Sequence, residues 1–474
     1  MELNSISFLG FFVIVFALYY LAAKNTRIQN IILLIASYVF YSVGDVYAAC
    51  LLLAATIVVY MVGIKVRCAN KTKVRKTWTF IGISLSILLL GYFKYFNFFV
   101  SSFSLLFNSI GLKNNVGTFD ILLPIGISFF TFRLISYLIE IYKENYNAES
   151  NFLEFATYIS FFPTILSGPI DRPDKFIPQL KNNREFNYYN ISKGCKLILW
   201  GMFTKMCIAD NISGTVDRIW SGEAEMSMFM YIWGAILYSI QIYADFSGYS
   251  NMAIGIGKCL GIDVMQNFNR PYFAKSVSDF WRRWHISLSS WLRDFLYFPL
   301  GGNRVPKLRW MLNIVIVFSV CGLWHGAAFT FVLWGIYHAI TQIAEKLLYG
   351  KRMKIATAHR FFSWQSILQI VVTFVIITFG WILFRAPSLS DLNLYIENMF
   401  TSKFTPITLG VSHFTLMAIF VLFIKDLKDE LGLTAFNVLN NKYKCIKYAS
   451  FSILLLLILL YGNEANSQFI YSQF

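Results

Sequence analysis

Charge is scarce in this chain: Asp, Glu, Lys and Arg make up 14% of 474 residues, against 57% hydrophobic and 18% aromatic. A soluble domain of ordinary composition holds about 25% charged residues, so that class is excluded and the chain belongs in a bilayer. Cysteine is sparse as well. The seven cysteines, at 50, 68, 195, 207, 259, 321 and 445, form no CxxC pair, which argues against a disulfide framework or a cysteine-rich zinc site. No Pro-, Gly- or Ser-rich linker divides the chain, and the leader Met1-Glu2-Leu3-Asn4-Ser5 lacks the basic start of a cleavable signal. GxSxG, GxxxxGK[ST] and HExxH are all missing. The fragment Gly255-Ile256-Gly257 with Gly261 fails the dinucleotide fingerprint at Leu260, so its glycines are expected to serve close helix packing. Hydride transfer and nucleoside triphosphate hydrolysis therefore have no motif to stand on, and no bound metal is expected.

What the chain has is apolar length. Windows run over Phe8–Ala23, Ile31–Val43, Val46–Ile64, Trp78–Tyr92, Ile121–Tyr142, Met226–Tyr243, Met311–Leu348, Phe362–Phe384, Phe414–Ile424 and Ile446–Tyr461. Several fall short of the roughly 20 residues that cross a bilayer, so an all-α polytopic protein of about 10 to 12 spans with re-entrant and interfacial helices is expected. Lys24 and Arg27 follow the first window, and Lys65, Arg67, Lys71, Lys73, Arg75 and Lys76 follow the third. The positive-inside rule places both loops in the cytoplasm and the N-terminus outside. Basic loops attracted to anionic lipid also account for the formal charge of +16 without nucleic acid.

The middle third differs from both ends. Between Asn145 and Arg309 the windows shorten and Pro163, Pro169, Pro173, Pro178, Pro271, Pro299 and Pro306 appear. Irregular backbone at membrane depth needs protein or a water-filled cavity around it, so the functional cavity is expected here and in the stretch that follows. Asp279 to Phe298 places Trp281, Trp284, His285, Leu288, Trp291, Leu292 and Phe295 on one helical face. A short amphipathic helix, interfacial or turned back into the protein, is expected.

Histidine carries the chemical signal. His325, in Cys321-Gly322-Leu323-Trp324-His325-Gly326, lies near the middle of the window Met311–Leu348. An ionisable group at that depth is costly and is a functional candidate by default. Cys321, one turn before it, reads as packing. His285, wedged among tryptophans, reads from its pattern as structural. So do His338, expected to snorkel to an interface, His359 in a basic loop, and His413 at the start of a later window. A buried neutral histidine can take a proton from a hydroxyl and return it to a leaving group.

Five stretches, in order, resemble the membrane-bound O-acyltransferase family and its bacterial polysaccharide O-acetylase branch. They are FFPTILSGPIDRP (161–173), YADFSGYSNMAIGIGKCLGI (243–262), NFNRPYFAKSVSDFWRRWHISLSSWLRDFLYFPLGGNR (267–304), GLWHGAAFTFVLWG (322–335) and GWILFRA (380–386). The resemblance implies one membrane domain over 1–474, with a motif-bearing core at about 120–390 between N-terminal helices (1–115) and C-terminal helices (391–474). It also implies a ring of tilted helices around a central channel, in a bacterial cytoplasmic membrane.

The same resemblance maps two catalytic histidines onto His325 and His285, overturning the structural reading of the latter. His325 is expected to be the general base on an acceptor hydroxyl that attacks an acyl thioester, with acetyl-coenzyme A as donor. His285 is expected to orient the donor or stabilise the oxyanion. Trp284, Arg283, Asp245, Ser287, Asn269 and Trp324 complete the expected donor-binding set, Asp245 either orienting a histidine or pairing with an arginine. An extracytoplasmic glycan is the implied acceptor, and a separate extracytoplasmic acetyl-transferring protein the implied partner. D-alanyl transfer, lipid or protein acylation by the same fold, and a glycan or lipid transporter stand as alternatives.

Overall fold

A computed structural model describes the chain except for residues 112–117, 222–225, 351–362, 402–408, 434–442, 464–468 and 471–474. All regular structure among the described residues is helical. Five helices there are long and apolar enough to cross a membrane: Val46–Cys68, Thr72–Ser109, Lys307–His325, Trp364–Arg385 and Lys444–Tyr461, with Ile6–Leu21 shorter. Outward faces are apolar, as a lipid-facing surface requires: Leu455, Leu456, Leu459 and Leu460 are 50 to 73% exposed.

The chain forms two compact units, residues 1–195 with 253–265, and residues 196–252 with 266–474. The first unit begins with α1 (Ile6–Leu21), α2 (Thr26–Ser42) and α3 (Val46–Cys68), capped by Ser5, Asn25 and Asp45. After α4 (Thr72–Leu90), one π turn leads into α5 (Phe96–Ser109). Then come α6 (Ile127–Tyr142), α7 (Phe152–Ser160) and α8 (Pro173–Lys181).

Arg133 of α6 ties the end of α7 to the Pro-rich stretch that follows: it is 1% exposed, and its guanidinium donates to the carbonyls of Tyr158 and Ile159 in α7 and of Thr164 and Pro169 beyond it at 3.0 to 3.4 Å. Met265 N–H closes the end of this loop on Asp171 at 2.8 Å. Gly257 serves the turn that ends its own helix, where a Cβ would stand 2.8 Å from the carbonyl oxygen of Ile262, whereas Gly255 meets a neighbouring helix, a Cβ on Gly194 standing 2.5 Å from its carbonyl oxygen.

α9 (Tyr188–Met202) runs into a π turn, Phe203–Ala209, followed by α10 (Asp210–Ser221) and the 32-residue α11 (Met228–Cys259). The tryptophan segment is broken into α12 (Val277–Arg283) and α13 (Ile286–Leu292), which a π turn extends over Arg293–Tyr297. The apolar run from Met311 to Leu348 is likewise a hairpin, of α14 (Lys307–His325) and α15 (Phe329–Tyr349). Glycines let its arms touch backbone to backbone. A Cβ on Gly322 would lie 2.1 Å from the carbonyl oxygen of Phe331, and one on Gly335 2.2 Å from that of Phe318. Among the described residues α16 (Trp364–Arg385), α17 (Leu389–Thr401) and α18 (His413–Glu430) come next. The last is α19 (Lys444–Tyr461).

Candidate active site

His325 is the last residue of α14, and Gly326 leaves the helix in an extended conformation, φ −162°. The imidazole thus stands at the hairpin's turn rather than midway along a span. It is 2% exposed. The rings of Trp324, Trp334 and Phe384 pack edge to face on it at 5.0 to 5.2 Å.

His285 occupies the break between α12 and α13, in the left-handed region at φ 44°, ψ 52°, and is wholly buried. A non-glycine residue there is strained and is held by its surroundings. Asn267 provides the hold. Its Oδ1 lies 3.2 Å from the backbone nitrogen of Ser287, 2.9 Å from Ser287 Oγ and 3.1 Å from His285 Nδ1. An amide N–H only donates, so the Asn267 atom facing it is oxygen; oxygen only accepts, so Nδ1 of His285 carries the hydrogen. Burial disfavours the imidazolium and pushes the His285 pKa down to about 3. In the neutral ring Nε2 is then the basic nitrogen.

The two histidines come together, with ring centroids 6.2 Å apart. Trp324 packs against both, 5.7 Å from His285 and 5.0 Å from His325. The other expected residues divide. Ser287 is buried in the Asn267 network. Trp284, 1% exposed, turns to Phe268, Phe280 and Trp381. Arg283 pairs with Asp279 at 3.1 Å and Glu430 at 2.9 Å. Asn269 is exposed, and its backbone N–H donates to the Arg283 carbonyl. Asp245 is 1% exposed and meets Lys205, Nζ to Oδ1 2.8 Å, rather than a histidine or an arginine.

His338 does not snorkel. It is wholly buried between Trp281 and Trp334, at 5.1 and 4.9 Å, and neither ring nitrogen has a hydrogen-bond partner among the described residues. His413 is exposed at the start of α18, and His359 lies outside the described residues. Sequence reasoning missed Asn267 and Trp334; only their places inside quoted motifs signalled them.

Two buried imidazoles, one with a fixed tautomer, in an aromatic enclosure suit proton transfer in acyl exchange. The sequence profile of MBOAT, the membrane-bound O-acyltransferase family, matches residues 147–386, which hold both histidines. The chain belongs to this family and is an O-acyltransferase of the membrane. Among its relatives, the probable alginate O-acetylase AlgI of Pseudomonas aeruginosa is 38% identical over 85% of this chain and 75% of its own. The peptidoglycan O-acetyltransferase of Helicobacter pylori is 35% identical over 83% of this chain and 77% of its own. The teichoic acid D-alanyltransferase of Bacillus subtilis is 30% identical over 55% of this chain and 68% of its own.

Proposed function

We propose that this protein transfers an acetyl group from a cytoplasmic thioester, acetyl-coenzyme A, to hydroxyls of an extracytoplasmic polysaccharide, directly or through an extracytoplasmic partner protein. One observation carries the reading: His285 and His325 are buried with rings 6.2 Å apart, in a chain similar to two polysaccharide O-acetylating enzymes over more than four fifths of its length.

In this mechanism a ring nitrogen of His325 takes the proton of the acceptor hydroxyl as its oxygen attacks the thioester carbonyl. The tetrahedral intermediate collapses, the C–S bond breaks, and the proton passes to the departing thiolate. Such a base contributes about 10²- to 10⁴-fold. His285 presents a basic Nε2, so it orients a donor or acceptor hydrogen rather than donating to an oxyanion. Trp324 and Ser287 hold the pair in place, while Trp284, Arg283 and Asn269 shape the turn that carries His285. The basic loops around Lys24 and Lys65–Lys76 support a cytoplasmic-membrane orientation with the N-terminus outside.

The test is His325→Ala in membranes given acetyl-coenzyme A, followed by the O-acetyl content of cell-surface glycan. Loss of transfer at normal protein level is expected; retained transfer overturns the assignment. Transfer from a D-alanyl thioester but not from the acetyl donor would move the protein to the D-alanyl branch.

A further inference from the structure

Asp245 and Phe246 are neighbours on α11 with different tasks. Asp245 meets the ammonium of Lys205, which also holds Asp210 at 2.7 Å, and all three side chains are at most 5% exposed. Lys205 lies on the π turn Phe203–Ala209. Helix α11 comes close beside it, since a Cβ on Gly201 would stand 2.5 Å from the carbonyl oxygen of Gly248. A buried carboxylate can accept from more than one donor.

The C-terminal segment supplies one: the backbone N–H of Ile470 donates to Asp245 Oδ2 at 2.9 Å. The preceding residue, Phe469, is 5% exposed, and its ring packs 4.9 Å from Tyr249 and 5.9 Å from Phe246. Phe246 in turn stands edge to face on His285, with centroids 4.7 Å apart at 86°. The Asn267 bond holds His285 at Nδ1, and Phe246 and Trp324 pack edge to face on its ring.

We propose that Phe469 and Ile470 form a C-terminal clasp that positions His285: the Ile470 amide fixes the segment on Asp245, and the Phe469 ring presses Phe246 against the imidazole. Both are positioning residues. The proposal rests on the reading of His285 as a working residue of acyl transfer.

The test uses full-length Phe469→Ala, Phe469→Tyr and Ile470→Pro proteins in detergent. Three quantities are measured: kcat and KM for acetyl-coenzyme A, the rate of diethylpyrocarbonate modification of each histidine by mass spectrometry, and Tm. Phe469→Ala is expected to lower kcat on the order of tenfold, since small misplacements of a reacting group are costly, with KM nearly unchanged. It should raise modification of His285 several-fold while His338 keeps its wild-type rate, and Phe469→Tyr should restore both. Ile470→Pro, which removes the donated N–H, should reproduce the effect and serves if Phe469→Ala fails to accumulate. Unchanged modification of His285 overturns the clasp, as does equal loosening of all buried histidines together with a lower Tm. If the wild-type protein transfers no acyl group, the function fails while the modification pattern still decides the clasp.

Discussion

Asn267 and His285 share a hydrogen bond whose direction is fixed by a third group: the Ser287 amide makes the Asn267 atom an acceptor, so His285 Nδ1 donates to it across 3.1 Å. Asn267→Ala removes the acceptor shared by the Ser287 amide, the Ser287 hydroxyl and His285 Nδ1, and releases the tautomer. Turnover of the thioester donor is expected to fall about 100-fold, as for a misplaced reacting group. Donor consumption by purified protein is the measurement, and a variant within about twofold of wild type would remove Asn267 from the mechanism.

Stability should depend on pH through His285. Its folded pKa lies near 3, against an ordinary 6.5, because burial penalises the charged ring. Between those values the unfolded chain binds a proton that the folded one refuses, so stability drops as pH falls through that window. A detergent-solubilised sample should lose Tm between pH 7 and 5, and His285→Gln should lose less. The same pH slope in both proteins contradicts this account.

Gly322 tests the hairpin. An added methyl would stand 2.1 Å from the Phe331 carbonyl oxygen, so Gly322→Ala must part α14 from α15. A loss of about 1 to 3 kcal/mol is expected, with acyl transfer falling as His325 shifts. Gly214→Ala meets nothing within 4 Å and should leave stability unchanged or slightly raised. Thermal unfolding of the two side by side gives the answer.

Arg133 should resist conservative change. Its planar fork serves four carbonyls, whereas a lysine ammonium is a point donor. Arg133→Leu is expected to cost about 1 to 3 kcal/mol by taking the guanidinium's donors from the end of α7, with Arg133→Lys recovering only part. Protein accumulation and Tm report it; a lysine variant of wild-type stability would mean the loop holds itself.

The helical class and the membrane setting were legible in composition, and His325 stood out as an ionisable group in an apolar run, whereas His285 read as structural from its pattern and only the family resemblance singled it out. The turn at Gly326 was not legible, since an apolar run reads the same whether it crosses once or doubles back. That fold also buries His338, whose distance from the end of the run suggested an interface. The Trp281, Trp284, Leu288 and Trp291 spacing fits one continuous helix, yet the strain at His285 is stabilised by Asn267, 18 residues away in sequence. Asn269 was named and Asn267 was the residue in contact, because composition alone cannot rank two asparagines in one motif. Asp245 stood out as an acid in an apolar context, but its partner Lys205 lies on a turn that no periodicity marks.

Arg270 and Arg283 both bind Glu430, and Arg283 also binds Asp279. Two cations and two anions cancel, so this knot is an electrically quiet clip that fastens the end of α18 to the turn before His285. The surplus of 41 basic over 25 acidic residues therefore acts elsewhere.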